Sequence, residues 1–149
     1  GGGAVGLTVQ GVPIVKPPYG MLTAVDLDKG QLKWQTPHGD TPDAIRNNPL
    51  LRGISVPKTG QPGTSAVGLV VTKTLVVMGD AESTTASGKR QAFLRAYDKV
   101  SGKEVGAVAI PAQQSGTPMT YSVEGKQYII VAVSDPRYSG EYIAFSLPN

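Results

Sequence analysis

The chain has 149 residues, the size of one ordinary domain, and carries 19 glycines, 12 prolines and only 17% charged residues. Abundant Gly and Pro with few charges describe short strands joined by tight turns, while apolar runs such as Leu75 to Met78 and Tyr128 to Val133 exclude disorder. The net charge of +3 is scattered over single lysines, cysteine is absent, and the longest run without Gly, Pro, an aromatic or a polar residue, Ile129 to Val133, is five residues, so neither a nucleic-acid surface, nor a disulfide or thiolate metal site, nor a membrane-spanning helix is indicated.

Residues 1–20 open on Gly1-Gly2-Gly3 and close on Lys16-Pro17-Pro18-Tyr19, and they read as an extended connector. A strand is expected from Met21 to Leu27, a tight turn over Asp28-Lys29-Gly30, and a return strand from Gln31 to Thr36. The glycine suits the positive φ that such a turn requires. Residues 37–62 show little periodicity beyond one possible helical turn at 43–48, ended by Pro49, and are expected to link two units. Strands follow at about 65–71 and 74–79, then a polar loop at 80–90, then strands at 91–98 and 103–110. The pattern restarts at Gly116, with strands expected at 118–123, 127–133 and 141–147.

One phrase occurs twice. Leu22-x-Ala24-x-Asp26-x-x-x-Gly30 returns 72 positions later as Leu94-x-Ala96-x-Asp98-x-x-x-Gly102. A second echo carries Gly63-Thr64 and residues 73–77 onto Gly116-Thr117 and residues 126–130, 53 positions on. Repetition at this spacing means that one small β unit has been copied. The expected fold class is therefore all-β, with antiparallel four-stranded blades of a β-propeller. The organisation is two trailing strands over 21–36, the 37–62 inter-blade loop, one complete blade over 65–110 and a final partial blade over 116–149. Two and a fraction blades cannot close a ring, so the chain is expected to be a C-terminal fragment of a longer propeller. The last unit lacks a fourth strand, as it would if a distant segment of the parent supplied it.

Ala24-x-Asp26-x-x-x-Gly30-x-x-x-Trp34 resembles the tryptophan-docking motif of bacterial quinoproteins, A-x-D-x-x-T-G-x-x-x-W. Lys16-Pro-Pro-Tyr-Gly20, Pro37-His-Gly-Asp-Thr-Pro42, residues 71–76 and Gly116-Thr-Pro-Met-Thr-Tyr121 with Gly125-Lys-Gln-Tyr128 are similar to the C-terminal portion of membrane-type glucose and polyol dehydrogenases. There are departures. Lys29 and Ser101 stand where the motif has Thr, and the second copy has Gly106 in place of Trp.

The resemblance implies an eight-bladed propeller that holds pyrroloquinoline quinone (PQQ) and a divalent metal, calcium or magnesium, the metal being bound by parts outside this chain. It implies oxidation of a sugar or polyol, electron transfer to ubiquinone, and a periplasmic site at the inner membrane. The partners of this segment would be the remaining blades of the parent. Cofactor contacts are expected at Gly63, Thr64, Ser65 and Ala66, where small residues let backbone approach a flat polyanionic ring. The same role is weaker for residues 114–117. No catalytic residue is nominated, and the segment alone is expected to be inactive.

Other chemistry fits poorly. Gly63-Thr-Ser-Ala-Val67 breaks the nucleophile-elbow pattern at its last position. Asp26-Leu-Asp28-Lys-Gly30 places its glycine one position too early for a calcium loop and has Pro37 where the bidentate Glu belongs. His38, the one histidine, lies in a Gly/Pro loop and reads more readily as a packing residue than as a base. The motif residues Asp26, Trp34, Asp98 and Gly102 read as structural. The alternative function is a non-catalytic propeller serving as an interaction platform of the cell envelope. A self-standing small β domain is a further one.

Overall fold

The computed structural model describes residues 6–146. The first five residues of the expected connector and residues 147–149 of the final unit lie outside them. Twelve strands are present among the described residues, all of them paired antiparallel, with helix confined to single turns. The fold class is the all-β, blade-type one that the repeat implies.

Strands β1 (Thr8–Val9) and β2 (Val12–Pro13) form a small hairpin inside the segment expected as a connector. Strands β3 (Met21–Asp26) and β4 (Gln31–Pro37) form a two-stranded sheet. The loop that follows contains one helical turn, α1 (Asp43–Arg46), and a 3-10 turn, Pro49–Leu51, whose N-terminus is capped by the Asn48 side chain accepting from Leu50 N at 3.0 Å. Thr64–Ala66 is a second 3-10 turn, where a strand start was expected. Two local features favour the turn. Gly63 takes φ +82°, and the Thr64 hydroxyl donates to the Gln61 carbonyl at 2.6 Å.

The middle sheet runs β5 (Val70–Val71), β6 (Leu75–Gly79), β8 (Lys89–Asp98) and β9 (Glu104–Ile110), with β7 (Thr84–Ala86) paired to the start of β8. The β7–β8 hairpin occupies the segment expected as a polar loop. Its turn residues Ser87 and Gly88 both have positive φ, the geometry of a two-residue hairpin. The last sheet contains β10 (Met119–Val123), β11 (Lys126–Asp135) and β12 (Tyr138–Ser146).

The three sheets stack in chain order. Successive side chains of β6 point to opposite faces. Val76 and Met78 pack toward the first sheet with Leu22, Tyr97 and Trp34. Val77 packs toward the last sheet with Leu94, Ile110, Val131 and Val133. Both copies of the repeated phrase carry a register shift at the same place, between Ala24 and Val25 and between Ala96 and Tyr97. The extra residue, Lys33 in one copy and Val105 in the other, stands on the return strand after each Asp–Gly turn, so the bulge belongs to the copied unit.

Candidate cofactor cleft and its polar seam

The two Asp–Gly turns are built alike. Asp26 Oδ1 accepts from the Asp28 and Lys29 amides at 3.1 and 3.2 Å, and Asp98 Oδ1 accepts from Val100 and Ser101 at 3.2 and 2.8 Å. The Ser101 hydroxyl donates to the same Asp98 oxygen at 2.7 Å, and it is the main reason this carboxyl is held below the usual range. Gly30 and Gly102 take φ +63° and +72°. Trp34 then crosses from the first sheet to the second turn. Its indole N–H donates to Lys99 O at 3.1 Å, and the ring lies so close over Gly102 that an added Cβ would stand 2.5 Å from Cδ2. The motif thus joins one sheet to the next.

Beside this joint the interface is polar. Arg95 on β8 is 4% exposed and has three carboxylate partners. Its Nε donates to Asp80 Oδ1 at 2.6 Å, Nη2 to Asp40 Oδ2 at 2.8 Å, and Nη1 to Glu104 Oε1 at 3.1 Å. Burial disfavours the cation, but the bond and charge of Asp80, with Asp40 and Glu104, outweigh it and hold the guanidinium protonated. Asp80, with no exposed surface, also accepts from Phe93 N at 3.1 Å.

His38 is fully buried. Nε2 lies 3.0 Å from Gly79 O, which can only accept, so the proton is on Nε2 and the Tyr97 hydroxyl donates to Nδ1 at 2.8 Å. Burial lowers the histidine's pKa and raises that of Tyr97, to which the negative charge of Glu104 adds. Both ring nitrogens are engaged, so His38 ties the 37–62 loop to the middle sheet.

Gln61, also fully buried, serves the same loop. Its Oε1 accepts from the Ala81 and Glu82 amides, and its Nε2 donates to Glu82 O. Asp43 accepts from the Thr85 amide and hydroxyl. Those bonds, with Arg46 and Arg90, overcome its partial desolvation and lower its pKa.

A cleft of about 350 Å³ opens where β3 faces the Gly63–Thr64 turn, lined by Tyr19, Gly20, Leu22, Gly63, Thr64 and Met78. The structure therefore brings two of the four expected cofactor residues to a cavity. Ala66 is exposed and does not line it, and the Ser65 side chain lies outside the described part of the structure. Gln114 is buried, accepts from Gly79 N at 2.6 Å and donates to Gly68 O at 2.7 Å, and so ties the end of β6 to the segment leading into β5. Among the described residues no group of three or more His, Asp or Glu side chains is placed to hold a metal ion, and no helix is long and apolar enough to cross a membrane.

Residues 4–129 match the family model described as the β-propeller domain of glucose/ethanol/alcohol dehydrogenases that use PQQ. The chain belongs to this PQQ dehydrogenase propeller family. Among curated proteins it is 33% identical to the quinate/shikimate dehydrogenase (quinone) of Acinetobacter baylyi, with 95% of this chain and 17% of the relative covered. It is 33% identical to a protein named "Probable quinate dehydrogenase (quinone)" of Xanthomonas campestris pv. juglandis, covering 96% and 18%. It is 29% identical to quinoprotein glucose dehydrogenase A of Acinetobacter calcoaceticus, covering 96% and 17%. The chain spans about a sixth of the length of these relatives.

In a PQQ propeller a site wall must present hydrogen-bond donors to a flat carboxylated ring without steric bulk. The turn at 63–66 meets that demand in part. A Cβ at Gly63 would touch nothing within 4 Å, so the backbone is open to approach. The first amides of a helical turn have no acceptor inside it. The Thr64 hydroxyl, already donating to Gln61 O, can offer only its lone pairs.

The Arg95 cluster was not anticipated from sequence. Its signal was a charged residue interrupting the apolar stretch from Ala92 to Tyr97, with Asp80 directly after the apolar run of β6. A charge in the middle of a core strand needs a partner.

Proposed function

We propose that this chain is one sector of a quinone-dependent dehydrogenase acting on a sugar, a polyol or a related polyhydroxy acid. In this reading it supplies scaffold and part of the cofactor wall. The carrying observation is the family match over residues 4–129 together with an intact docking contact of Trp34 on Gly102. When bound, PQQ would supply the two-electron acceptor for a substrate C–H bond. This chain's share is positional. Gly63 and Thr64 form the rim against which the ring would lie, and the buried links of His38, Gln61 and Arg95 keep that rim at a fixed distance from β3.

The metal ion (calcium or magnesium), the base and the remaining wall belong, in this reading, to other blades of the whole protein. Ubiquinone would be the electron acceptor, at the periplasmic face of the inner membrane.

The decisive experiment is a PQQ titration of the whole protein followed by absorbance, with Gly63→Phe as the comparison. Stoichiometric uptake, weakened about tenfold or more by Gly63→Phe, is expected, since a tenfold loss corresponds to about 1.4 kcal/mol. Failure of the whole protein to take up quinone would overturn the reading in favour of an interaction platform. Uptake unaffected by Gly63→Phe would remove residues 63–64 from the cofactor wall. The 149-residue chain with PQQ, calcium and an artificial acceptor should oxidise neither glucose nor a polyol.

A further inference from the structure

We infer that Glu82 is a substrate-binding residue: its carboxylate, held at the cleft end of the middle sheet, accepts hydrogen bonds from the hydroxyls of a neutral sugar or polyol and turns away polyhydroxy acids. The inference rests on the cofactor reading above and narrows its substrate class.

The position comes first. Antiparallel strands place successive connections at opposite ends of a sheet. The cleft opens at the start of β3 and beside the Gly63–Thr64 turn that precedes β5. Met21 pairs with Pro37, Val70 with Val77 and Gly79 with Leu94, so the 37–62 loop and the connection from β6 to β8 leave their sheets at that same end. Gln61 spans from the cleft to this connection. A Cβ on Gly20, which lines the cleft, would stand 2.1 Å from Gln61 O, and the Thr64 hydroxyl donates to the same oxygen. At its far end Gln61 Oε1 accepts from the Ala81 and Glu82 amides at 2.9 and 3.2 Å, while Nε2 donates to Glu82 O at 3.0 Å. Glu82 is therefore held by both of its backbone groups, one side chain away from the cleft wall.

The segment that carries Glu82 is an addition to the copied unit. In the last sheet β11 and β12 are joined directly across Pro136 and Arg137. In the middle sheet the corresponding connection leaves β6 at Gly79 and meets it again at Leu94, and the β7–β8 hairpin occupies the interval. This hairpin is latched to the 37–62 loop. Asp43 accepts from the Thr85 amide and hydroxyl, and Arg46 Nη1 donates to Thr85 O at 2.6 Å. The last sheet packs without a hairpin of this kind, so blade packing does not account for it.

The carboxylate then gives the chemistry. Asp40 and Asp80 pair with Arg95, and Asp43 pairs with Arg46 and Arg90. Of the carboxylates on this loop and connection, Glu82 alone has a side chain without a hydrogen bond or ion pair among the described residues. It is half-buried, and burial raises its pKa, with Arg90 opposing and Asp43 and Asp80 adding. A carboxylate deprived of part of its water and given no partner is a cost that a scaffold does not require. Hydroxyl donors of a ligand offset it, because an ionised carboxylate only accepts. A ligand that brought its own carboxylate would meet like charge from Glu82, and the arginines nearby are already engaged.

The test compares the whole wild-type protein with Glu82→Gln and Glu82→Ala, using glucose, glycerol and sorbitol as neutral probes and quinate as the acid. PQQ uptake, followed by absorbance, and the melting temperature should match wild type in both variants, since the Glu82 side chain has no protein contact to lose. Wild type should show a kcat/KM for at least one neutral probe about tenfold or more above that for quinate. Glu82→Gln should raise KM for that probe about tenfold or more at nearly constant kcat, and it should shrink the preference over quinate. In the absence of quinone, saturation-transfer NMR should show the same probe bound by wild type and bound more weakly by both variants. Quinate as the best wild-type substrate, oxidation of none of the neutral probes, or an unchanged KM in both variants would each overturn the inference. A loss of activity that came with weaker PQQ uptake or a lower melting temperature would overturn it too, by making Glu82 a structural residue. If wild type takes up no quinone, the cofactor reading fails together with this one; if it takes up quinone and oxidises a neutral probe while both variants behave as wild type, this one alone fails.

Discussion

The middle sheet has two faces, and they are held by different chemistry. Toward the last sheet it presents Val77, Ala92, Leu94 and Ile110 against Val131 and Val133, with no charged group in the cluster. Toward the first sheet it presents Tyr97, Met78 and Val76. There the packing is interleaved with the Arg95 carboxylate cluster, the His38–Tyr97 bond and the docked indole. Apolar packing is non-directional and tolerates small slips. Hydrogen-bonded charges and a stacked ring fix one register. The polar seam is the one that borders the cleft containing Gly63 and Thr64, so positional accuracy is concentrated where a cofactor wall would need it. The single tryptophan lies in the polar seam, so its emission in the folded state senses that seam directly.

The strongest way to break the contrast is Arg95→Met. It leaves Asp80 buried with its charge uncompensated, a change that typically costs about 3–5 kcal/mol. Leu94→Ala, on the other face, deletes buried carbon and should cost about 2–5 kcal/mol. The two differ in kind. Urea unfolding followed by Trp34 fluorescence should show the Arg95→Met deficit shrinking when Asp80→Asn is added, which removes the stranded charge, and the Leu94→Ala deficit not shrinking with the same addition. Equal responses of both to Asp80→Asn would mean that the seams do not differ in the way described.

A second comparison sets the two turns against each other. Gly30 and Gly102 share the left-handed conformation, so alanine at either costs about 1–2 kcal/mol in backbone strain. At Gly30 nothing lies within 4 Å of the new methyl, and the cost ends there. At Gly102 the methyl would overlap the Trp34 ring, adding an overpacking term of about 1–3 kcal/mol. The expected result is a Gly102→Ala protein clearly less stable than Gly30→Ala, with a shifted Trp34 emission seen only in the former. Matching stabilities would show that the docking contact carries no weight.

What the sequence made legible follows the same division. The Asp–Gly turns were readable because each is made within five residues, and the bulge recurs with them. Alternating strands showed the stacked antiparallel sheets, since burial on both faces leaves continuous apolar runs such as 129–133. The polar seam was not readable, because it joins residues 15 and 55 positions apart, Arg95 with Asp80 and with Asp40, through loops with no period. The β7–β8 hairpin was hidden by its polar composition, and the turn at Thr64–Ala66 by a hydroxyl-to-carbonyl bond that no pattern announces. At the cleft, sequence reasoning located Gly63 and Thr64 but could not foresee that Tyr19 and Met78 would form its other side.

His38 gives a pH test of the same seam. Its folded pKa lies below the ordinary value of 6.5, chiefly through burial, with Arg95 and Lys58 adding to that and Gly79 and Asp80 opposing it. Below about pH 6.5 the unfolded chain binds a proton that the folded chain resists, so this contribution is complete above that pH and declines as pH falls toward the folded value. Glu82 works in the opposite sense, because burial raises its pKa. Comparison with His38→Gln separates the two. The melting temperature of the wild-type chain should drop more between pH 7.5 and 5.5 than that of His38→Gln, and identical drops would mean that His38 titrates as a solvated histidine.

The smallest effect belongs to the rim of the polar seam, and it shows where the seam's strength ends. Lys58 pairs with Glu104 at 2.7 Å, yet both side chains remain about a third exposed, at 38% and 29%. Water and salt screen such a pair, so Lys58→Met should cost only about 0.2–1 kcal/mol and the difference should vanish near 1 M salt. Glu104 keeps its bond to Arg95 in that variant, so no buried charge is stranded. If Lys58→Met instead cost as much as Arg95→Met, the cluster would be a single cooperative unit reaching to the surface. A small, salt-sensitive loss is the expected outcome, and it would confine the anchoring of the first sheet to the buried Arg95–Asp80 pair and its immediate partners.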